Sequence, residues 1–196
     1  MPTKRVEVIH TKELINHAFK ELLLEKEFDR ITVMDISSKA QINRATFYLH
    51  FKDKQELYTN YMEYFFYHVD IILHNIMSPT YVNKGLDQFV TKPFPPIAAL
   101  FSYMKKEEAL TNCLLGLKSS RETTLRLEQL LEKYYLRFYK AHKGTPYNMQ
   151  FTKENDLYER YILKAAMGII FGWVDEGMRR SSDEMAILFV RISLRM

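Results

Sequence analysis

The chain has 196 residues, enough for one medium domain or two small ones. Hydrophobic residues make up 47% and charged residues 27%, which excludes a disordered or collagen-like polymer. With 28 Lys and Arg against 24 Asp and Glu the net charge is +4, mildly basic, which permits a polyanionic partner without requiring one. In chain order, Leu14, Ile15, Ala18, Phe19, Leu22 and Leu23 recur at steps of three and four. They predict a first helix from about His10 to Lys26 with one apolar stripe. Thr32 followed by Asp35 is a helix-start signal, and Val33, Ile36 and Ala40 supply the apolar side of a short second helix. Asn43 caps a third, from Arg44 to about His50. Asp53-Lys54-Gln55-Glu56 opens a long aromatic helix through about Ile76.

From Met77 to Pro96 the pattern breaks at Pro79, Gly85, Pro93, Pro95 and Pro96. Phe94 to Lys106 and Glu107 to Leu117 read as shorter helices. Arg121 to about His142 reads as a long one, its apolar face carrying Leu125, Leu127, Leu130, Leu131, Tyr134, Tyr135, Phe138 and Tyr139. Gly144-Thr145-Pro146 is a stop signal for it. Asn155 to about Met178 is another long helix, and Ser181 with Glu184 starts the last. The fold class is all-α: a small three-helix module in front, joined by a long helix to a larger helical body. The expected domains are residues 1–53 and 54–196.

Two short helices three residues apart, after a longer one, form the pattern of a helix-turn-helix. The first would brace and the second would enter a major groove. Arg44, Ala45, Thr46 and Tyr48 can face outward, while Phe47 and Phe51 pack inward against Ile36 and Leu14. Arg44 suits a bidentate contact with guanine, and the small Ala45 permits close approach to base edges. From Thr32 to Lys54 there are four basic residues (Lys39, Arg44, Lys52, Lys54) and two acidic ones (Asp35, Asp53). Glu21, Glu25, Glu27 and Asp29 make the end of the first helix acidic, so that end should point away from phosphates.

The run from Ala40-Gln41-Ile42-Asn43 through Thr46, Tyr48, His50-Phe51 and Lys54 to Leu57 resembles the TetR family of bacterial transcriptional regulators. The likeness covers about residues 10–58. The family often has glycine where Gln41 stands, and serine where Asn43 stands. The resemblance implies that Thr46, Tyr48 and His50 meet phosphate or sugar, with Thr32 as another backbone contact. It implies a phosphate-binding role for Lys54, while Arg44 and Ala45 are the expected base readers and Asn43 lies at the same surface. It further implies a homodimer on a palindromic double-stranded DNA operator, through the last two helices.

Small residues at Ala165, Gly168 and Gly172, with Met185, Leu188, Phe189 and Ile192 on the following helix, fit such a dimer interface. A buried hairpin within one chain is the alternative. The segment from Gly172-Trp173 to Met185 resembles a C-terminal type common in Firmicutes members. Tyr61, Phe65, His68, Phe101, Met104, Tyr134 and Phe138 are candidates to line a site for a hydrophobic inducer. A packed core is the simpler reading of each, and a protein co-regulator could take the inducer's place.

No cofactor or metal is expected. The single cysteine, Cys113, excludes an intrachain disulfide and any structural zinc site built on several cysteines. Its neighbours Leu114 and Leu115 suggest burial rather than a reactive thiol. The histidines His10, His17, His50, His68, His74 and His142 form no His-Glu-x-x-His pattern, and no Gly-rich phosphate loop exists, so an enzyme is not expected. The most apolar stretch, Ala165–Val174, is too short for a membrane span. No apolar segment follows Met1-Pro2-Thr3-Lys4-Arg5, so a cytoplasmic protein is expected. The expected function is transcriptional regulation, most simply repression released by a small molecule or protein. The alternative is a helical adaptor controlled by a protein partner.

Overall fold

The computed structural model describes residues 4–82, 87–117, 119–141 and 155–195. Among them there is no strand. The α-helices are α1 (Lys4–Glu25), α2 (Val33–Lys39), α3 (Arg44–Tyr48), α4 (Lys54–His74), α5 (Pro79–Val82), α6 (Pro95–Lys106), α7 (Glu108–Leu115), α8 (Arg121–Ala141), α9 (Asn155–Asp175) and α10 (Ser182–Arg195). The chain forms two compact units, Met1–Tyr64 and Phe65–Met196, so the division falls inside α4 rather than before it. The first turns of α4 belong to the front unit because Leu57 and Tyr61 are buried there, Tyr61 against the ring of Phe19.

In the front unit, α1 buries Ile15, Ala18, Phe19 and Leu22. Leu14 lies at the edge of that stripe and is 37% exposed, so it is not the core partner expected for Phe47 and Phe51. A 3-10 turn, Phe28–Arg30, leads to the buried Ile31 and then to Thr32, which caps α2. The Thr32 hydroxyl accepts the Asp35 N–H at 3.1 Å, and the Asp35 carboxylate accepts the Thr32 N–H at 2.8 Å. Two of the free donors at the helix start are thereby satisfied reciprocally.

The turn after α2 has a definite hydrogen-bond pattern. Ile42 N–H reaches Ser37 C=O at 3.0 Å and Gln41 N–H reaches Ser38 C=O at 3.2 Å. These are the paired bonds of a Schellman motif, which places its C′ residue in the left-handed region. That residue is Gln41, with φ 55°. A second Schellman pair ends α9, from Met178 to Trp173 and from Gly177 to Val174, with a glycine (φ 74°) at the corresponding place. Of these two turns, that of α2 carries a side chain at the C′ position, while that of α9 carries its left-handed side chain one residue later, at Met178 (φ 51°).

In the other unit, α4 continues with Phe65, Phe66, Val69 and Leu73 buried. Short turns around Pro79–Val82 and Asp87–Phe89 occupy the proline-rich stretch. Pro95 and Pro96 open α6, where a missing N–H costs nothing. Phe101 of α6 meets Trp173 of α9 edge-on at 5.0 Å and Phe189 of α10 at 6.2 Å, so one ring ties three helices. The buried Thr111 hydroxyl donates to Met104 C=O at 2.7 Å and closes the α6–α7 corner. On α8 Thr123, Leu127, Leu131 and Tyr134 are buried, while Leu125 is exposed. The stop signal Gly144-Thr145-Pro146 and His142 lie outside the described residues.

Gln41→Gly should raise the stability of the folded chain by about 0.5–1 kcal/mol. It removes a left-handed penalty of about 1–2 kcal/mol against part of that regained as unfolded-state entropy. A higher urea midpoint with an unchanged slope is the expected result.

Candidate nucleic-acid interface

α3 has only five residues, Arg44–Tyr48, fewer than the span to His50 read from the sequence. Asn43 holds its start, its side-chain oxygen accepting the Thr46 N–H at 2.7 Å and the Thr46 hydroxyl at 3.0 Å. Phe47 is completely buried, with Phe51 at 5.7 Å between ring centroids. With Phe47 fixed inward, helical geometry turns Arg44, Ala45 and Tyr48 outward, and all three are exposed.

The Arg44 guanidinium donates to the Tyr48 hydroxyl from Nε at 3.3 Å and from Nη2 at 3.0 Å, and lies 5.4 Å from the ring centroid. The two side chains one turn apart form a single exposed unit. A guanidinium has five N–H donors, so three are not used by Tyr48. Leu49, 82% exposed, extends this surface past the helix end.

His50 is half-buried and its pKa is lowered, first by burial and then by the charge of Lys12. Lys12 itself is exposed on α1, with its ammonium 5.7 Å from the Phe51 ring centroid. It therefore joins the end of the α3 surface. Nothing near Lys12 in the sequence signals this, since the residues it meets lie far along the chain.

Lys52, just past α3, is exposed, while other cations of the front unit are paired by the fold. Lys39 pairs with Glu25 at 2.6 Å and Glu21 at 3.5 Å, and Lys26 pairs with Asp35 at 2.9 Å. The acidic end of α1 is thus engaged by α2. The Lys26 hydrogen bond, followed by those from Thr32, lowers the pKa of Asp35 to about 2.

Two expected phosphate contacts have other partners in this structure. The Thr32 hydroxyl serves the α2 cap. Lys54, expected at a phosphate, points inward. Its ammonium donates to the carbonyls of Phe28 at 3.0 Å, Asp29 at 3.0 Å and Ile31 at 2.8 Å, which uses all three of its N–H groups. The physical reason is that the 3-10 turn gathers these carbonyls beside the start of α4, and a carbonyl has two lone pairs, so even that of Phe28, which accepts the Ile31 N–H at 3.1 Å, can take a second donor.

The residues expected around an inducer separate into different contacts. Tyr61 belongs to the front unit. In the other unit, Phe65 and His68 stack on Tyr103 at 5.4 and 5.6 Å. Phe101 and Met104 are fully buried. The Tyr134 hydroxyl donates to Asp70 at 2.8 Å, beside Lys133 at 2.6 Å from the same oxygen. The side chain of Phe138 lies outside the described residues.

On α9 the buried face is Ile162, Leu163, Ala166, Met167, Ile170, Trp173 and Val174. Gly168 and Gly172 are exposed, and a Cβ placed on either would meet nothing within 4 Å. Ala165 beside them is half-buried. The glycines are therefore not spent on a close contact among the described residues. Leu157 and Tyr161, 76% and 56% exposed, continue the open face. On α10, Leu188 and Ile192 are half-buried, as is Phe189, which packs on Phe101. Met185 is buried in the core of its own chain, not placed at a surface for a partner.

Comparison with known proteins agrees with this construction. Residues 15–60 match the family model of "Bacterial regulatory proteins, tetR family", and residues 91–194 match that of "Transcriptional regulator C-terminal region". The chain belongs to the TetR family of transcriptional regulators. It is 26% identical over 190 residues to the uncharacterized helix-turn-helix regulator YxbF of Bacillus subtilis, covering 94% of this chain and 44% of that protein. The chain thus spans less than half the length of that relative. It is 27% identical over 176 residues to IcaR of Staphylococcus epidermidis, a negative transcriptional regulator of the biofilm operon icaADBC, covering 84% and 89% of the two chains. A crystal structure of a TetR regulator from Streptococcus agalactiae superposes with a TM-score of 0.65 at 19% identity, covering 98% of both chains. Among the described residues no helix is long and apolar enough to cross a membrane.

Asp35 supplies a pH test of the α2 cap. Its folded pKa of about 2 lies below the ordinary 3.8, so its stabilisation is fully present above the ordinary value and is lost as pH falls toward 2. Wild type should therefore be more stable than Asp35→Asn at pH 6, with the gap closing between about pH 4 and pH 2. Denaturation midpoints across that range provide the measurement.

Proposed function

We propose that the chain acts as a homodimeric repressor that reads a palindromic operator in double-stranded DNA through α3. The observation that carries this reading is the exposed Arg44–Tyr48 pair on a short helix whose back is fixed by Phe47. Arg44 and Ala45 face base edges, where a guanidinium matches guanine. Asn43, Thr46, Tyr48 and His50 meet phosphate or sugar, joined by Lys12 from α1. Thr32 contributes a backbone contact if DNA draws its hydroxyl from the cap. Negative regulation is supported by IcaR, a negative regulator that aligns over most of this chain. Release by a small molecule or a protein co-regulator completes the scheme.

Two reading helices must lie about 34–36 Å apart to enter successive major grooves, so the reading requires a dimer. The open face of α9, with Gly168 and Gly172, together with Leu188 and Ile192 of α10, is assigned to that contact. In this reading the small residues allow close approach between copies.

Selection of duplexes from a random-sequence library, followed by titration of the recovered site, tests the function directly. No enrichment of any sequence would leave the adaptor reading in its place. On the recovered site, Arg44→Ala should cost about 1–3 kcal/mol per half-site and relax preference at one base pair. Lys12→Ala should weaken selected and unrelated DNA alike, with a salt slope shallower by about 0.9 per half-site.

Gly168→Arg should leave the chain folded, because the Cβ enters open space, and should convert the dimer to a monomer. Sedimentation at micromolar concentration, with circular dichroism as the folding control, provides the check. A persistent dimer would move the interface off this face.

A further inference from the structure

We propose that Lys54 is a positioning residue of the helix-turn-helix: its ammonium clamps the start of α4 to the turn before α2 and so sets the orientation of α3. The inference rests on the DNA-binding reading above. The three carbonyls it meets, from Phe28, Asp29 and Ile31, all lie in the link between α1 and α2. The ammonium also lies 4.6 Å from the Phe28 ring centroid, against its electron-rich face.

The clamp is reinforced along one face of α4. Lys54, Tyr58 and Tyr61 are spaced by four and three residues, and neighbours at that spacing share a helix face. Tyr58 stacks on Phe28 at 4.6 Å, Tyr61 meets Phe19 at 5.4 Å, and Phe19 meets Phe28 at 6.2 Å. The carbonyl of Ile31 belongs to the residue before the α2 cap, Thr32. A shift at Lys54 is therefore passed to the start of α2, and through the Gln41 turn to α3.

An ammonium is suited to this place and a guanidinium is not. Three N–H groups at tetrahedral angles reach three converging carbonyls, whereas the planar fork of arginine presents its donors in one plane. A phosphate contact has no such demand, since arginine binds phosphate at least as well as lysine. The two roles therefore separate under Lys54→Arg, which keeps the charge and changes only its geometry.

The experiment titrates full-length wild type, Lys54→Arg and Lys54→Met against a duplex selected by the wild-type protein and an unrelated duplex, over a salt series. Both variants should lose roughly tenfold or more affinity for the selected duplex, the weight of one charge-assisted hydrogen bond. They should keep their affinity for the unrelated duplex and the wild-type salt slope. A residue that only maintains stability would not change that ratio well below the melting temperature. Wild-type affinity in Lys54→Arg overturns the proposal. So does a loss in Lys54→Met that is equal on both duplexes, with a slope shallower by about 0.9 per half-site. If circular dichroism shows Lys54→Met unfolded, the arginine variant decides alone. Wild type that does not discriminate between the duplexes would instead overturn the DNA-binding reading.

Discussion

A helix of five residues cannot hold itself together. Helix formation begins with an unfavourable nucleus, and isolated helices below about 12 residues are marginal in water. α3 exists because its surroundings supply what its own backbone lacks. Asn43 satisfies the first donors, Phe47 anchors the buried side, and the turn at Gln41 delivers the chain at the required angle. The same anchors decide the outward set. Once Phe47 is fixed, Arg44, Ala45 and Tyr48 have no other place to go. Stability and function in the front unit are therefore the same constraint seen from two sides of one short helix.

Charge is distributed with equal consequence. A net charge of +4 says little about where a polyanion would bind. The fold assigns Lys26 and Lys39 to acidic partners on neighbouring elements and Lys54 to backbone carbonyls. Arg44 with Tyr48, Lys12 beside His50, and the exposed Lys52 just past α3 are not among those so assigned. Pairing Glu21 and Glu25 with Lys39 also occupies the acidic end of α1. The surface gains its character by removal of competing charges as much as by the presence of basic ones.

The described residues of the other unit are organised around buried rings. Phe101 joins α6, α9 and α10, and the Asp70–Lys133–Tyr134 contacts join α4 to α8. Most of the residues that suggested an inducer site are thus also residues the core needs. The face of α9 that carries Gly168 and Gly172 is different, because no close contact among the described residues explains two glycines in a helix where each costs about 1 kcal/mol against alanine.

The sequence by itself determined the features whose partners lie within a few residues. Thr32 with Asp35, Asn43 with Thr46 and Ser181 with Glu184 are caps made three residues apart, and each is visible as a local pattern. The periodicity that buries Ile15, Ala18, Phe19 and Leu22 is likewise a property of one helix. The tertiary structure alone decided what long-range contacts decide. Lys54 meets carbonyls 23 to 26 residues away, and Lys133 meets Asp70 across 63. Leu14 and Met185 fit the apolar patterns of their helices, yet one lies at the edge and the other in the core. Periodicity marks a stripe, but the depth at each position depends on what packs against it. An ammonium is equally suited by chemistry to a phosphate or to three carbonyls, and only the folded arrangement presents the carbonyls.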